Sequence, residues 1–217
     1  MKVIITGATG LVGEGVLQVC LKNPEITEVL TVSRKSSGHR HPKLKELIIK
    51  DFSEIKNDNA ELMGYDACFF CAGVSSVGET EESFTRKTYN FVVSFAEIMC
   101  QINSAMTFIY VSGNRTDSTE KGKVMWARVK GRTENALLRL PFKAVYNFRP
   151  GFMRPVKGQK NVRFIYRIFD VLSPVWYFLF PGWICKMEEV GLAMIHCAKT
   201  GYKTPVLEVE DIKKAAR

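Results

Sequence analysis

Three glycines, Gly7, Gly10 and Gly13, recur at every third residue of "VIITGATGLVGEGVL", between an apolar run and an amphipathic one. Glycines there allow a tight turn, a close backbone approach to a bulky anion, and close packing of helix on strand. The helix that follows such a turn offers free N–H groups and its positive dipole end to phosphate. The chemistry is capture of a dinucleotide's pyrophosphate, with Thr6 leading in. A second pair is Trp126 and Lys130 in "GKVMWARVKG". Four apart on a helix, they share one face. Lysine brings charge, while an indole N–H can donate a hydrogen bond but cannot shuttle a proton near neutral pH.

The adenosine end of such a site reads from the close of the second strand. An acid there usually holds the ribose 2′-hydroxyl. This chain has "TVSRKSSGHR", with Ser33 and Arg34 and no Asp or Glu. Arginine presents a fork of donors to a phosphate, and Lys35 and Arg40 add charge. The expectation is NADP(H), with NAD(H) the alternative.

These residues need a scaffold, and the pattern supplies one. Strands are expected at 2–6, 28–33, 44–52, 66–73, 106–113 and 143–151. Helices are expected at 11–22, 53–63, 80–102 and 123–140, the first stopped near Asn23-Pro24 and the last before Pro141. The alternation of strand and helix predicts an α/β, doubly wound Rossmann fold with a parallel sheet. The 217 residues suit one domain, and the portion over 151–217 reads as a small C-terminal appendage. Cys68 and Cys71 form a C-x-x-C on a strand, where residues three apart face opposite ways. They are read as structural cysteines, and no metal site is expected.

The motifs "TGATGLVG", "DF" at Asp51-Phe52, "CAG" at Cys71 to Gly73, "YVSG", "WARVKG" and "RPGFMRP" follow one another in an order that resembles the short-chain dehydrogenase/reductase superfamily. The similarity is to its extended or atypical branch of epimerase-like NAD(P)-binding proteins, over about residues 2 to 155. The resemblance implies a coenzyme site of Gly7, Thr9, Gly10, Leu11, Val12, Gly13, Ser33, Arg34, Asp51, Phe52, Cys71, Ala72, Gly73, Lys130, Arg149 and Pro150. It also implies a catalytic group of Asn90, Ser112, Lys130 and, where the family has tyrosine, Trp126. That tyrosine passes a proton while the coenzyme moves a hydride, and the lysine holds the nicotinamide ribose. With tryptophan, proton transfer is lost at a cost of roughly 10²–10⁴-fold in rate, unless Tyr89, Tyr166, Tyr177 or water substitutes.

A formal charge of +9 invites an anionic partner. The coenzyme and the appendage account for it, so nucleic acid is not expected. The chain opens without a signal-peptide pattern, and an intracellular, cytoplasmic protein is expected. Residues 163–184 are aromatic and uncharged from Val171 to Ile184, too short to span a bilayer, which needs about 20 residues. With Arg154, Lys157, Lys160, Arg163 and Arg167 upstream, the segment is read three ways. It touches a membrane surface, lids a substrate pocket, or covers the sheet edge. Two functions stay open. One is an NADP(H)-dependent carbonyl reductase or sugar-nucleotide epimerase-like enzyme with a small-molecule substrate. The other is an NADP(H)-binding redox sensor or scaffold without fast turnover.

Overall fold

A computed structural model describes residues 1–162 and 182–217. Seven parallel strands form one sheet in the order β3-β2-β1-β4-β5-β6-β9. They are β1 (Lys2–Thr6), β2 (Glu28–Ser33), β3 (Leu44–Ile48), β4 (Ala67–Phe70), β5 (Thr107–Val111), β6 (Ala144–Arg149) and β9 (Val206–Glu208). The central strands are continuous apolar runs because both sheet faces are covered. On one face Val3, Ile5, Phe69, Ile109 and Phe148 pack against α1 (Leu11–Lys22), α5 (Met187–Thr200) and α6 (Val209–Ala215). On the other, Ile4, Val32, Phe70, Phe108 and Tyr110 pack against α3 (Phe91–Ile102) and α4 (Met125–Leu137). The strand order reverses direction between β1 and β4, and a crevice opens there at the strands' carboxyl ends, where such sheets bind ligands.

The doubly wound parallel sheet is as the sequence predicts, and α1 stops at Lys22, with Asn23 as its cap. Three local expectations differ. The third strand ends at Ile48 rather than running to residue 52, and Phe52–Glu54 form a 3-10 turn whose Phe52 lines the crevice. The helix expected over 53–63 is only that turn and a second one, Ala60–Leu62. Asn59 there accepts a hydrogen bond from the Glu61 N–H at 3.0 Å, the local competition by which Asn side chains end helices. The long helix expected over 80–102 is α2 (Glu81–Thr85), a π-helical turn over Arg86–Asn90, and α3. C-terminal to β6, β7 (Phe152–Arg154) pairs in parallel with β8 (Ile184–Lys186), while β9, α5 and α6 from the portion read as an appendage belong to the main sheet and its core. Each is three residues long, too brief for a periodic pattern to reveal.

Candidate coenzyme site

The glycine turn carries the geometry its spacing demands. Gly7 sits at φ 71°, and a Cβ on it would lie 2.7 Å from the backbone N of Ala72. A Cβ on Gly13 would lie 2.2 Å from the Gly7 carbonyl oxygen. Any side chain at either position would force β1, β4 and α1 apart. The first bond of the α1 ladder runs from the Glu14 N–H to the Gly10 carbonyl at 3.0 Å. The N–H groups of Leu11, Val12 and Gly13 therefore precede the ladder, and a diphosphate fits them by charge and by shape. The cradle that a Cβ would fill is the observation that fits this site to a dinucleotide.

Two adjoining clefts share Thr9, Gly10, Cys71, Ala72, Gly73 and Val74. The first, of about 610 Å³, reaches the end of β2 at Ser33 and Arg34 and is bounded by Lys50, Asp51, Phe52 and Arg86. Phe52 is held there by Phe91 and Phe95, with ring centroids 5.0 and 5.6 Å away. No acid stands at the end of β2. Arg34, Lys50 and Arg86 line the cleft as exposed cations, while Lys87 is paired with Glu79 at 2.6 Å. The Ser33 hydroxyl instead donates to the Lys35 carbonyl at 2.6 Å, shaping the loop. Lys50 and Arg86 were not singled out in the sequence. Lys50 adjoins the "DF" motif, and Arg86 is visible only once the π turn sets its direction.

The second cleft, of about 690 Å³, runs from Thr9, Gly10, Leu11 and Val12 to Val111, Ser112, Gly113, Lys130, Pro150, Met153 and residues 160–162. Lys130 donates to the Ser112 carbonyl. Burial pulls its amine down to about 8, with Glu134 pulling the other way. Burial pushes the Cys71 thiol up to about 12, so it stays protonated. Cys68 packs in one face's core and Cys71 against the other, as alternation on a strand requires. No group of three His, Cys, Asp or Glu side chains suited to a metal occurs among the described residues.

Several expected site residues sit elsewhere. The Ser112 hydroxyl is 3% exposed and donates to Glu134, with the Phe148 carbonyl also 3.1 Å away. Ser112 lines the second cleft, but its hydroxyl is committed to these buried partners. Arg149, expected at the coenzyme, is buried in ion pairs. Its Nη2 lies 2.5 Å from Glu134 Oε2 and its Nη1 lies 3.0 Å from Glu208 Oε1. With its guanidinium engaged by Glu134, Ser118 and Glu208, Arg149 ties α4, β6 and β9 together and lines neither cleft. Asn90 is exposed at the end of the π turn and lines neither cleft. Trp126 is half-buried in the first turn of α4, on the face of Lys130, and is likewise outside both linings among the described residues. Tyr89 stacks under Arg132, whose guanidinium carbon is 4.3 Å from the ring centroid. Tyr166, Tyr177 and the expected membrane, lid or cover segment through residue 181 lie outside the described residues. Among those that are described, no helix is long and apolar enough to cross a membrane.

Residues 2–106 match the family described as semialdehyde dehydrogenase, NAD binding domain. A protein of Meyerozyma guilliermondii named FMP52, mitochondrial, is 27% identical over 96% of this chain and 90% of its own length. The like-named protein of Emericella nidulans is 23% identical over 90% and 86%. Among solved structures, UDP-glucuronic acid 4-epimerase of Bacillus cereus in complex with NAD superposes with a TM-score of 0.67 at 14% identity, covering 99% of this chain and 83% of that one. A short chain dehydrogenase family protein of Francisella tularensis gives 0.65 at 18% identity, covering 95% of each. The chain has the Rossmann fold shared by short-chain dehydrogenases/reductases and epimerases.

Proposed function

We propose that this protein binds NADP(H) and acts as an oxidoreductase on a small carbonyl compound, with turnover slowed by the want of a proton-transfer group. One observation carries this reading. The crevice runs unbroken from the glycine cradle to a rim of Arg34, Lys50 and Arg86, and β2 ends in Ser33-Arg34 without the usual acid, Asp51 entering the lining from after β3. A 2′-phosphate suits three cations, and a bare 2′-hydroxyl would lack its usual acceptor. When bound, the coenzyme supplies the hydride. The chain's own part is to hold the diphosphate on the first turn of α1 and to place the Lys130 amine beside the far ribose. Trp126 keeps at most a hydrogen-bond donor.

A second reading, a coenzyme-responsive binding protein without turnover, draws support from the Ser112 hydroxyl being committed to Glu134. Calorimetry with NADPH and NADH tests the shared premise. NADPH is expected to bind tighter, and Arg34→Ala to narrow the gap by roughly tenfold, the worth of one charge-assisted bond. Equal affinities untouched by Arg34→Ala would remove the NADP(H) assignment. NADPH oxidation with aldehydes and quinones then separates the two readings. Slow turnover that rises in Trp126→Tyr supports the enzyme, and none in either protein supports the binder. The relatives named mitochondrial favour that compartment over a cytoplasmic one, which subcellular fractionation decides.

A further inference from the structure

Glu14 lines neither cleft, yet its carboxylate meets three polar groups beside them. It occupies the fourth position of α1, one turn beyond the diphosphate cradle, and is 0% exposed. Its Oε1 accepts the Lys160 N–H at 2.8 Å and meets His39 Nε2 at 3.1 Å. Its Oε2 accepts the Asn161 N–H at 2.7 Å. Burial alone would raise this carboxyl, but the Lys160 and Asn161 amides and His39 hold it below the ordinary value. Two further ties run beside it. Gln159 Nε2 donates to the Leu11 carbonyl, and Lys160 Nζ lies 3.5 Å from the Gly38 carbonyl.

The two segments that Glu14 gathers belong to opposite ends of the crevice. His39 and Gly38 lie in the loop that continues from Arg34. Residues 160–162 line the second cleft, facing Gly10, Leu11 and Val12. A diphosphate on the first turn of α1 therefore lies under a strap whose backbone is bonded to the same helix. A buried anion one turn from that ligand would ordinarily repel it. Here two amides and an imidazole already surround the charge.

We infer that Glu14 is a positioning residue for the coenzyme, clasping the His39 loop and the 160–161 backbone to α1 so that the cleft stays walled over the diphosphate and the coenzyme leaves slowly. The inference rests on the dinucleotide reading above. The test follows NADPH release by stopped-flow fluorescence in the parent, Glu14→Ala and Glu14→Gln, with hydrogen exchange of the amides at 160 and 161. Glu14→Ala is expected to speed release by roughly tenfold or more, the scale of one lost bond to a charged group. It should also expose both amides, while Glu14→Gln, which keeps the shape and one acceptor, falls between. Should Glu14→Ala not fold, Gln159→Ala, which removes only the tie to Leu11 and its own loop, is expected to speed release in the same sense. Unchanged release in folded variants, with the parent binding NADPH normally, overturns the clasp and leaves the dinucleotide reading standing. A parent that binds neither NADPH nor NADH overturns both.

Discussion

Lys130 shows how one side chain's surroundings set what it can contribute. Its stem crosses a buried stretch of α4, and its amine has the Ser112 carbonyl as acceptor and Glu134 one turn along. Burial disfavours the ammonium, and the amine falls to about 8 from the ordinary 10.5. A lowered folded-state value means the unfolded chain holds the proton more tightly. Between about pH 8 and 10.5 the unfolded state binds more protons, so this group adds stability as pH rises through that window and adds none of it below. Cysteines and tyrosines raised by burial act in the opposite sense at similar pH. Those contributions cancel in the difference between the parent and Lys130→Met. The unfolding free energy of the parent minus that of Lys130→Met rises from pH 8 to pH 10, by urea titration at each pH. A flat difference would mean that the amine is solvated and the packing around Ser112 is not as described. The spacing of Lys130 from Trp126 was legible in the sequence because a helix fixes it. The inward turn of the Ser112 hydroxyl was not, because its partner Glu134 lies on α4 and reads alone as an ordinary helix acid. The ion pairs of Arg149 were hidden for the same reason: "RPG" resembles a coenzyme motif, while the two carboxylates it meets come from distant segments.

At the scale of elements, β6 carries a polar residue where its neighbours argue for an apolar one. Asn147 is 0% exposed, sits between Tyr110 on β5 and Val206 on β9, and has no hydrogen-bond partner for either amide atom among the described residues. A buried polar group without a partner costs about 1–3 kcal/mol. Asn147→Val removes that penalty and suits a strand, against a small cost for its extra bulk. The expected outcome is a gain of about 1 kcal/mol in unfolding free energy, read from the denaturant midpoint at unchanged slope. A loss of stability would show that Asn147 holds a water with a structural role. Elements with strong periodicity, such as α1 and β1, were legible because both faces of each follow from local apolar runs. The break of the long helix at Arg86–Asn90 was not, because a π turn inserts a residue without altering composition. It displaces Asn90 from the place a regular helix would give it, which is how a motif match and an exposed side chain coexist.

For the molecule as a whole, the net charge of +9 bears on what enters the crevice. The glycine cradle draws on backbone N–H groups packed close to the ligand, which salt screens little. Arg34, Lys50 and Arg86 at the other end are exposed, where charges separated by more than about 8 Å are screened at physiological salt. The βα turn that opens the crevice was written in the sequence, since glycines there tolerate few alternatives. The gathering of cations at the adenosine end was only half written, because Lys50 and Arg86 reach it from separate elements. A salt series therefore discriminates between a local fork at Arg34 and a shared basic field. NADP(H) carries an additional phosphate relative to NAD(H), so its affinity depends more on the exposed cations. From about 20 to about 300 mM salt, a range that shortens the screening length several-fold, calorimetry is expected to show NADPH weakening more than NADH. In Arg34→Ala the remaining preference should still decline with salt, because Lys50 and Arg86 continue to attract the phosphate. If that variant instead lost all salt dependence of the preference, a single contact at Arg34 would account for it, and the two other cations would be spectators at the rim.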